Sequence, residues 1–378
     1  MAAGALIAAV LGWVASAGEP RPIDLLPLYN ELRTSFDPRR PGRGIADYPG
    51  NMIADVPKAY AMILKAELLF KGDQVGPSLI EPAGSFLISH ADERHDGFPG
   101  WGVPIAWDAY GDGSINPAHT KYAISTAIVV DALLDWIDVD PKSPREKILA
   151  LVRASLERYL DARVLSPSGL LPYSLEMVDR PYDTFNPAAY LAGIMQRYSH
   201  IEPESEMRNK LREIADMTIG THLAHKQVRP DGNWYWHYSI NEKVPNDLAH
   251  ATYIIHGLKL YAKYNGKLTG SLDLAAIERH LVDFVDPSSN RILAWPRFRI
   301  DTNSTARSYD LGMGLFAVCQ LTEGQLRERY TAALPAYRSS SGRYLKYPPK
   351  LDRSDLSVRE YEAYLLLGMS SCLRGIQP

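Results

Sequence analysis

The sequence predicts an all-α fold, an (α/α)6-type toroid in which inner helices stand in a ring and outer helices return the chain, with long rim loops and a few short strands. Three observations predict it. Apolar residues recur at three- and four-residue spacing through most of the 378-residue chain. Segments apolar on nearly every face, such as AISTAIVVDALL and LGMGLFAV, alternate with segments that carry charge stripes, such as SPREKILALVRASLERYL and ESEMRNKLREIADM. The first kind is expected to be buried all round and the second to meet solvent on one side. Long loops rich in Gly, Trp and Asp, such as ERHDGFPGWGVPIAWDAYGDGSINP and RPDGNWYWHYSINEKVPN, lead into the apolar segments. They place a rim over one mouth of the ring.

In chain order, MAAGALIAAVLGWVASAGEP is an apolar run ending in Ala15, Ser16 and Ala17, small residues of the kind found at a cleavage site. Residues 1–18 are expected to be an export signal peptide, with a buried N-terminal helix as the alternative, and an exported, periplasmic or extracellular location follows from the first. Residues 19–50, rich in Pro, Arg and Gly, are expected to be an irregular arm, and 51–378 the toroid catalytic domain. Inner helices are predicted over 52–70, 118–138, 186–199, 246–264, 308–321 and 356–373. Outer helices are predicted over 143–163, 205–226, 272–285 and 323–337. A solenoid of helix pairs requires a more regular repeat length than these segments show.

Composition narrows the function. Hydrophobic residues make up 46% and charged residues 22% of the chain, a globular balance that excludes a disordered or collagen-like chain. A net charge of −3 supplies no basic field for nucleic acid, so none is expected as a partner. No stretch beyond the first is long and apolar enough to span a bilayer. Twenty-two Tyr and seven Trp against eight Phe mean that most large rings carry a polar edge, suited to a wet groove or to stacking on sugars.

Polar groups collect at the starts of the inner segments: Asn116, His119 and Tyr122; Asn186 and Tyr190; Asn246, Asp247, His250 and Tyr253; Arg307, Tyr309 and Asp310; Arg359, Glu360 and Tyr361. A weak repeat marks two of them, Ala118-His119-x-x-Tyr122-x-Ile124 and Ala249-His250-x-x-Tyr253-x-Ile255, each shortly after an asparagine. Capping accounts for single Asn and Asp residues, but not for a His and a Tyr three apart, which share a helix face. An unpaired polar group in a core costs about 1–3 kcal/mol, so convergence on one solvated cavity is expected.

The alternation and the inner-helix starts WDAYGDGSINPAHTKYAI, VPNDLAHATYIIHGLKLY and ARSYDLGMGLF resemble the α/α-toroid carbohydrate-active enzymes. These include polysaccharide lyases, unsaturated glucuronyl hydrolases and the helical domain of glucuronyl epimerases. The resemblance runs from about residue 50 to the end and implies a polysaccharide or oligosaccharide substrate. Within such a group, proton abstraction at a uronic acid needs a base and a group that neutralises the carboxylate. His250 and Tyr253 are the expected proton-transfer pair, with Asn246 and Arg307 at the carboxylate. His119, Tyr122, Asn186, Tyr190, Tyr309 and Arg359 are expected around them. A glycoside hydrolase instead needs two carboxyl groups. Asp108, Asp247, Asp310 and Glu360 are the candidates, with Trp101, Trp107, Trp234 and Trp236 as sugar platforms. A non-catalytic glycan-binding protein is the third reading.

Other motifs carry less. The loop from Asp108 through Asp112 to Ser114 lacks the alternating acidic positions of a calcium loop. His90, Asp92, His95 and Asp96 lack a metal motif and read as a solvated loop. No P-loop, strand-borne GxGxxG or GxSxG is present, and no cofactor or metal is expected. Asn303-Ser-Thr fits a glycosylation sequon. Cys319 and Cys372 fall late on two adjacent inner helices, within reach of a disulfide that an exported location permits.

Overall fold

A computed structural model describes residues 23–374 apart from 73, 290, 300–303, 322–323 and 350–355. The apolar N-terminal run and the Asn303 sequon therefore lie outside the described residues. Twelve α-helices are found among those described. Six form a closed inner ring: α2 (Pro57–Leu69), α4 (Ala123–Val139), α6 (Phe185–Ser199), α8 (Leu248–Lys263), α10 (Ser308–Val318) and α12 (Arg359–Arg374). Each packs on the next, and α12 returns onto α2.

The outer layer is α3 (Ile80–Ser89), α5 (Arg145–Glu157), α7 (Ser205–His225), α9 (Leu274–Arg279) and α11 (Gly324–Ala332), each following its inner partner, with α1 (Leu25–Thr34) completing the circle. That last helix corrects one expectation, since residues 19–50 are not wholly irregular. Leu25, Tyr29, Leu32 and Arg33 form a buried face behind an Asp24 cap. Arg33 donates to Glu67 of α2 from Nε (2.6 Å) and Nη2 (2.8 Å), so this early helix locks against the first inner one.

The inner helices approach closely because small residues stand at their crossings. A Cβ on Gly257 of α8 would lie 2.3 Å from the Ala189 carbonyl oxygen of α6, and one on Gly312 of α10 would lie 2.4 Å from the Tyr364 backbone of α12. At the far end of the same α10–α12 contact, Cys319 and Cys372 are joined in a disulfide.

Three two-stranded hairpins decorate the loops: β1 (Arg43–Ile45) with β2 (Ile53–Asp55), β3 (Trp107–Asp108) with β4 (Ile115–Asn116), and β5 (Gln227–Val228) with β6 (Trp234–Tyr235). Two inner segments start later than their apolar spacing predicts. Residues 53–55 pair as a strand, and α4 begins only at Ala123, because Tyr122 is extended and bridges Ser174. Among the described residues, no helix is long and apolar enough to cross a membrane.

Candidate active site

The N-terminal ends of the inner helices share one end of the ring, and four ionisable groups from two of those ends form a continuous chain. Asp247 caps α8, its Oδ1 accepting the His250 backbone N–H at 2.9 Å. The same oxygen lies 2.7 Å from His250 Nδ1. Its Oδ2 accepts from Arg307 Nη2 at 3.2 Å. Arg307 also grips Asp310, with Nε donating to Oδ2 at 2.9 Å and Nη2 to Oδ1 at 2.8 Å, while its backbone N–H donates to Oδ2 at 2.8 Å in a capping box that opens α10.

Burial works against ionised Asp247, but His250 and Arg307 outweigh it and hold the carboxyl at about 2. Burial dominates at Asp310, with Asp247 adding to it, and raises that carboxyl against the pull of Arg307. Asp310 is 0% exposed, whereas the His250 and Arg307 side chains each keep 27% of their surface open. Only the latter two can meet a solute directly.

Aromatic rings line this end in two arcs. One runs from Tyr48 through Trp107 (5.7 Å between centroids), Tyr122 (5.9 Å), Tyr173 (5.6 Å) and Tyr110 (4.9 Å) to Tyr182 (3.5 Å). The other runs from Tyr238 to His250 (5.3 Å), Tyr253 (6.2 Å), Tyr309 (6.4 Å) and Tyr361 (5.4 Å). Tyr48, Tyr110, Tyr238 and Arg307 are closely surrounded by protein yet keep accessible surface, which is how the wall of a concavity behaves. Burial and the nearby Asp247 and Glu242 raise the Tyr238 hydroxyl, which keeps its proton at neutral pH.

Within the second arc the hydroxyls form a relay: Tyr309 donates to Tyr253 at 2.7 Å, and the Tyr253 and Tyr364 hydroxyls are 2.7 Å apart. Tyr253 is 1% exposed, and burial raises its hydroxyl well above the ordinary phenol range. This corrects its expected role in direct proton transfer. The half-buried ring beside His250 is Tyr238, which the sequence reading passed over although it stands in the rim loop NWYWHYSI.

Other expected residues take different places. His119 and Tyr122 lie before the helix, not on it, and His119 adopts a left-handed φ of 61° and faces Glu93 and His90. The repeat thus shares residues but not geometry. Asn246 is buried, its amide donating to the carbonyls of Trp236 (3.1 Å) and His237 (2.8 Å), so it fastens the rim loop. Arg359 turns away, 3.0 Å from Glu362 and over the Phe36 ring. Glu360 is buried in an ion pair with Lys58 at 2.6 Å.

Asn186 sits one helical turn above Tyr190 on α6, with its buried Nδ2 unpartnered. Tyr190 reaches downward, donating to Asp131 at 2.8 Å. Asp108 accepts from the backbone of Gly111 (2.7 Å) and Gly113 (2.9 Å), which closes its loop as a turn and occupies the carboxylate. Trp107 stays on the aromatic arc. Trp101 and Trp236 are core residues, Trp236 Nε1 donating to the His222 carbonyl at 2.8 Å, and Trp234 lies under Lys226 on the β5–β6 hairpin beside α9. Neither 234 nor 236 serves the ring's mouth, because the period-2 alternation there turns them toward the outer layer.

Asp47 and Lys346 also belong to this end. Lys346 Nζ donates to Asp47 at 2.8 Å, and the Tyr361 hydroxyl donates to the other Asp47 oxygen. Among the described residues, no group of three or more His, Cys, Asp or Glu is arranged to hold a metal ion.

No family model and no curated protein sequence matches the chain. Solved structures do. An unsaturated glucuronyl hydrolase from Bacillus sp. GL1, responsible for the degradation of glycosaminoglycan, superposes with a TM-score of 0.57 at 13% identity, covering 92% of this chain and 94% of its own. A polysaccharide lyase gives 0.58 at 9% identity, covering 93% and 97%. A family 76 α-mannanase from Bacteroides thetaiotaomicron gives 0.61 at 9% identity, covering 93% and 96%. At these identities the likeness establishes the architecture: the chain is an α/α toroid of the kind found in carbohydrate-active enzymes.

Proposed function

We propose that this chain is an enzyme that processes a polysaccharide or oligosaccharide by proton abstraction at a uronic acid, in a lyase or epimerase reaction at the mouth of the ring. The observation that carries this reading is the Asp247–His250 pair beside Arg307. An imidazole whose Nδ1 is held by a carboxylate presents Nε2 as a base. The proton beside a sugar carboxylate becomes removable once that carboxylate is neutralised. Arg307 supports this role because Nη1 takes no part in its bonds to Asp310 and Asp247.

In elimination, Nε2 takes the C5 proton, the C5–H electrons form the C4=C5 bond, and the C4–O electrons leave on the glycosidic oxygen. Tyr238, which keeps its proton, is the donor to that oxygen. In epimerisation the carbanion is reprotonated from the opposite face instead. Incubation with a panel of uronic-acid polysaccharides, followed by ultraviolet absorbance of the unsaturated product, tests the lyase form. Solvent deuterium entering an uncleaved chain marks the epimerase.

Hydrolysis is the second reading, favoured by the carboxyl groups at the same end. Asp310 is closed to solvent, and Asp247 spends both oxygens on His250 and Arg307. With Glu360 buried against Lys58 and Asp47 bound to Lys346 and Tyr361, hydrolysis requires two of these four carboxyl groups to exchange their present partners for substrate. Reducing ends released from neutral glycans, without unsaturated product, identify it. Binding without turnover of any panel member leaves the glycan-binding reading.

A further inference from the structure

Asp310 is fully buried and cannot touch a substrate, yet it anchors Arg307, which reaches Asp247. Its two oxygens take three donors from Arg307: the backbone N–H, Nε and Nη2. A guanidinium gripped at two nitrogens by a carboxylate of its own helix has little freedom to turn. What remains for Asp247 is a single Nη2 contact, and that contact goes to Oδ2. Oδ1 is thereby left to His250, where it accepts the backbone N–H and faces Nδ1.

We infer that Asp310 is a positioning residue for His250: it fixes Arg307, Arg307 orients the Asp247 carboxylate, and that carboxylate holds the imidazole with Nδ1 inward and Nε2 toward the open mouth. The consequence for catalysis rests on the function proposed above, whereas the geometry of the chain does not.

Without the Asp310 grip, both donor edges of Arg307 become available to Asp247. A bidentate Arg–carboxylate pair is the stronger arrangement and draws Oδ1 away from the imidazole. The groups facing His250 are Asp247 from its own cap, Tyr238 from the rim loop and Tyr253 from its own helix, with Arg307 behind Asp247. Neither tyrosine contributes a charge, since burial keeps both protonated. Asp247 is therefore the only anion among the groups named that can choose between the two ring nitrogens.

The test is 15N NMR of imidazole-labelled protein at a pH where His250 is neutral, comparing wild type with Asp310→Asn. The wild type is expected to show one tautomer, protonated at Nδ1, and the variant a mixture. Arg307→Lys, which keeps the charge but has no planar fork with which to grip Asp310 at two nitrogens while reaching Asp247, is expected to give the same mixture. It also serves as the second measurement if Asp310→Asn folds poorly. On a uronic-acid substrate, Asp310→Asn is expected to lower kcat roughly 100-fold, the effect of a misplaced base, with KM within about twofold because Asp310 meets no substrate.

An unchanged single tautomer in both variants overturns the inference, and so does an unchanged kcat in an active enzyme. If no glycan reacts but the tautomer shifts as described, the proposed function falls and the positioning chain stands.

Discussion

The two ends of the toroid's axis hold charge in opposite ways. At the mouth, Asp247, His250 and Arg307 are linked but partly open. At the floor, Lys65 of α2, Asp131 and Asp135 of α4, Arg197 of α6 and His256 of α8 meet in a cluster in which every carboxylate oxygen of Asp131 and Asp135 has a partner. Lys65 Nζ lies 2.7 Å from Asp131, Arg197 Nη1 2.6 Å from Asp131 and 2.7 Å from Asp135, and His256 Nε2 2.9 Å from Asp131. Burial works against ionised Asp131, but Lys65, His256 and Arg197 overcome it and hold its carboxyl well below the usual range. Lys65 lies seven residues past Lys58, two helical turns or about 10 Å deeper along α2. Charges saturated by partners have nothing left for a substrate. Charges with an open edge do, which is why chemistry is assigned to the mouth and ring integrity to the floor.

The largest expected effect separates the two ends by activity. His250→Asn is expected to remove between about 10²- and 10⁴-fold of turnover on a uronic-acid substrate while hardly moving the urea midpoint, since its side chain is partly open. Turnover that survives this substitution moves the reacting centre elsewhere. Lys65→Met does the reverse. Leaving the buried cluster one positive charge short, with Asp131 and Asp135 sharing Arg197, is expected to cost about 3–5 kcal/mol of stability, measured by urea denaturation, with kcat of the folded fraction kept. A wild-type midpoint for Lys65→Met contradicts the structural role given to the floor.

The disulfide gives a smaller effect. Replacing Cys319 and Cys372 with alanine opens a link across 53 residues at the floor end of α10 and α12, and a loss of about 2–4 kcal/mol is expected, read from thermal unfolding with and without reductant. Tyr253→Phe probes the layer between the ends. It leaves the Tyr309 and Tyr364 hydroxyls without their common partner, and about 1–3 kcal/mol of stability is expected to go. Retained kcat in that variant sharpens the assignment of proton transfer to His250, and a loss as large as that of His250→Asn overturns it.

Much of this was legible in the chain. A Lys or Asp inside a helix apolar on every other face, as in PKAYAMILKAELL or AISTAIVVDALLDW, signals a buried partner because an unpaired charge there is too costly. Read that way, Lys65 and Asp131 were visible, although the sequence reading did not single them out. The mouth was legible where its residues are local. Asp247 and His250 stand three apart at a helix start, as do Arg307 and Asp310. Asp47 with Lys346 carried no such signal, being joined across 299 residues. His119 misled for a related reason: its match to His250 is one of letters, and the pairing of Tyr122 with Ser174 keeps residues 119–122 out of the helix.

Periodicity and the alternation of apolar and striped helices determined the class of fold, because a helix buried on all faces must be enclosed by others. Local spacing determined the caps and hence which residues stand at the inner-helix starts. Which of those residues face one another was decided only by the closed ring. Direction around a helix depends on where its neighbours lie, so Arg307 turns to Asp247 across a helix boundary while Arg359 turns away to Glu362. The same closure decided exposure, leaving His250 open at the mouth and sealing Tyr253, its neighbour on the same helix face, one turn below.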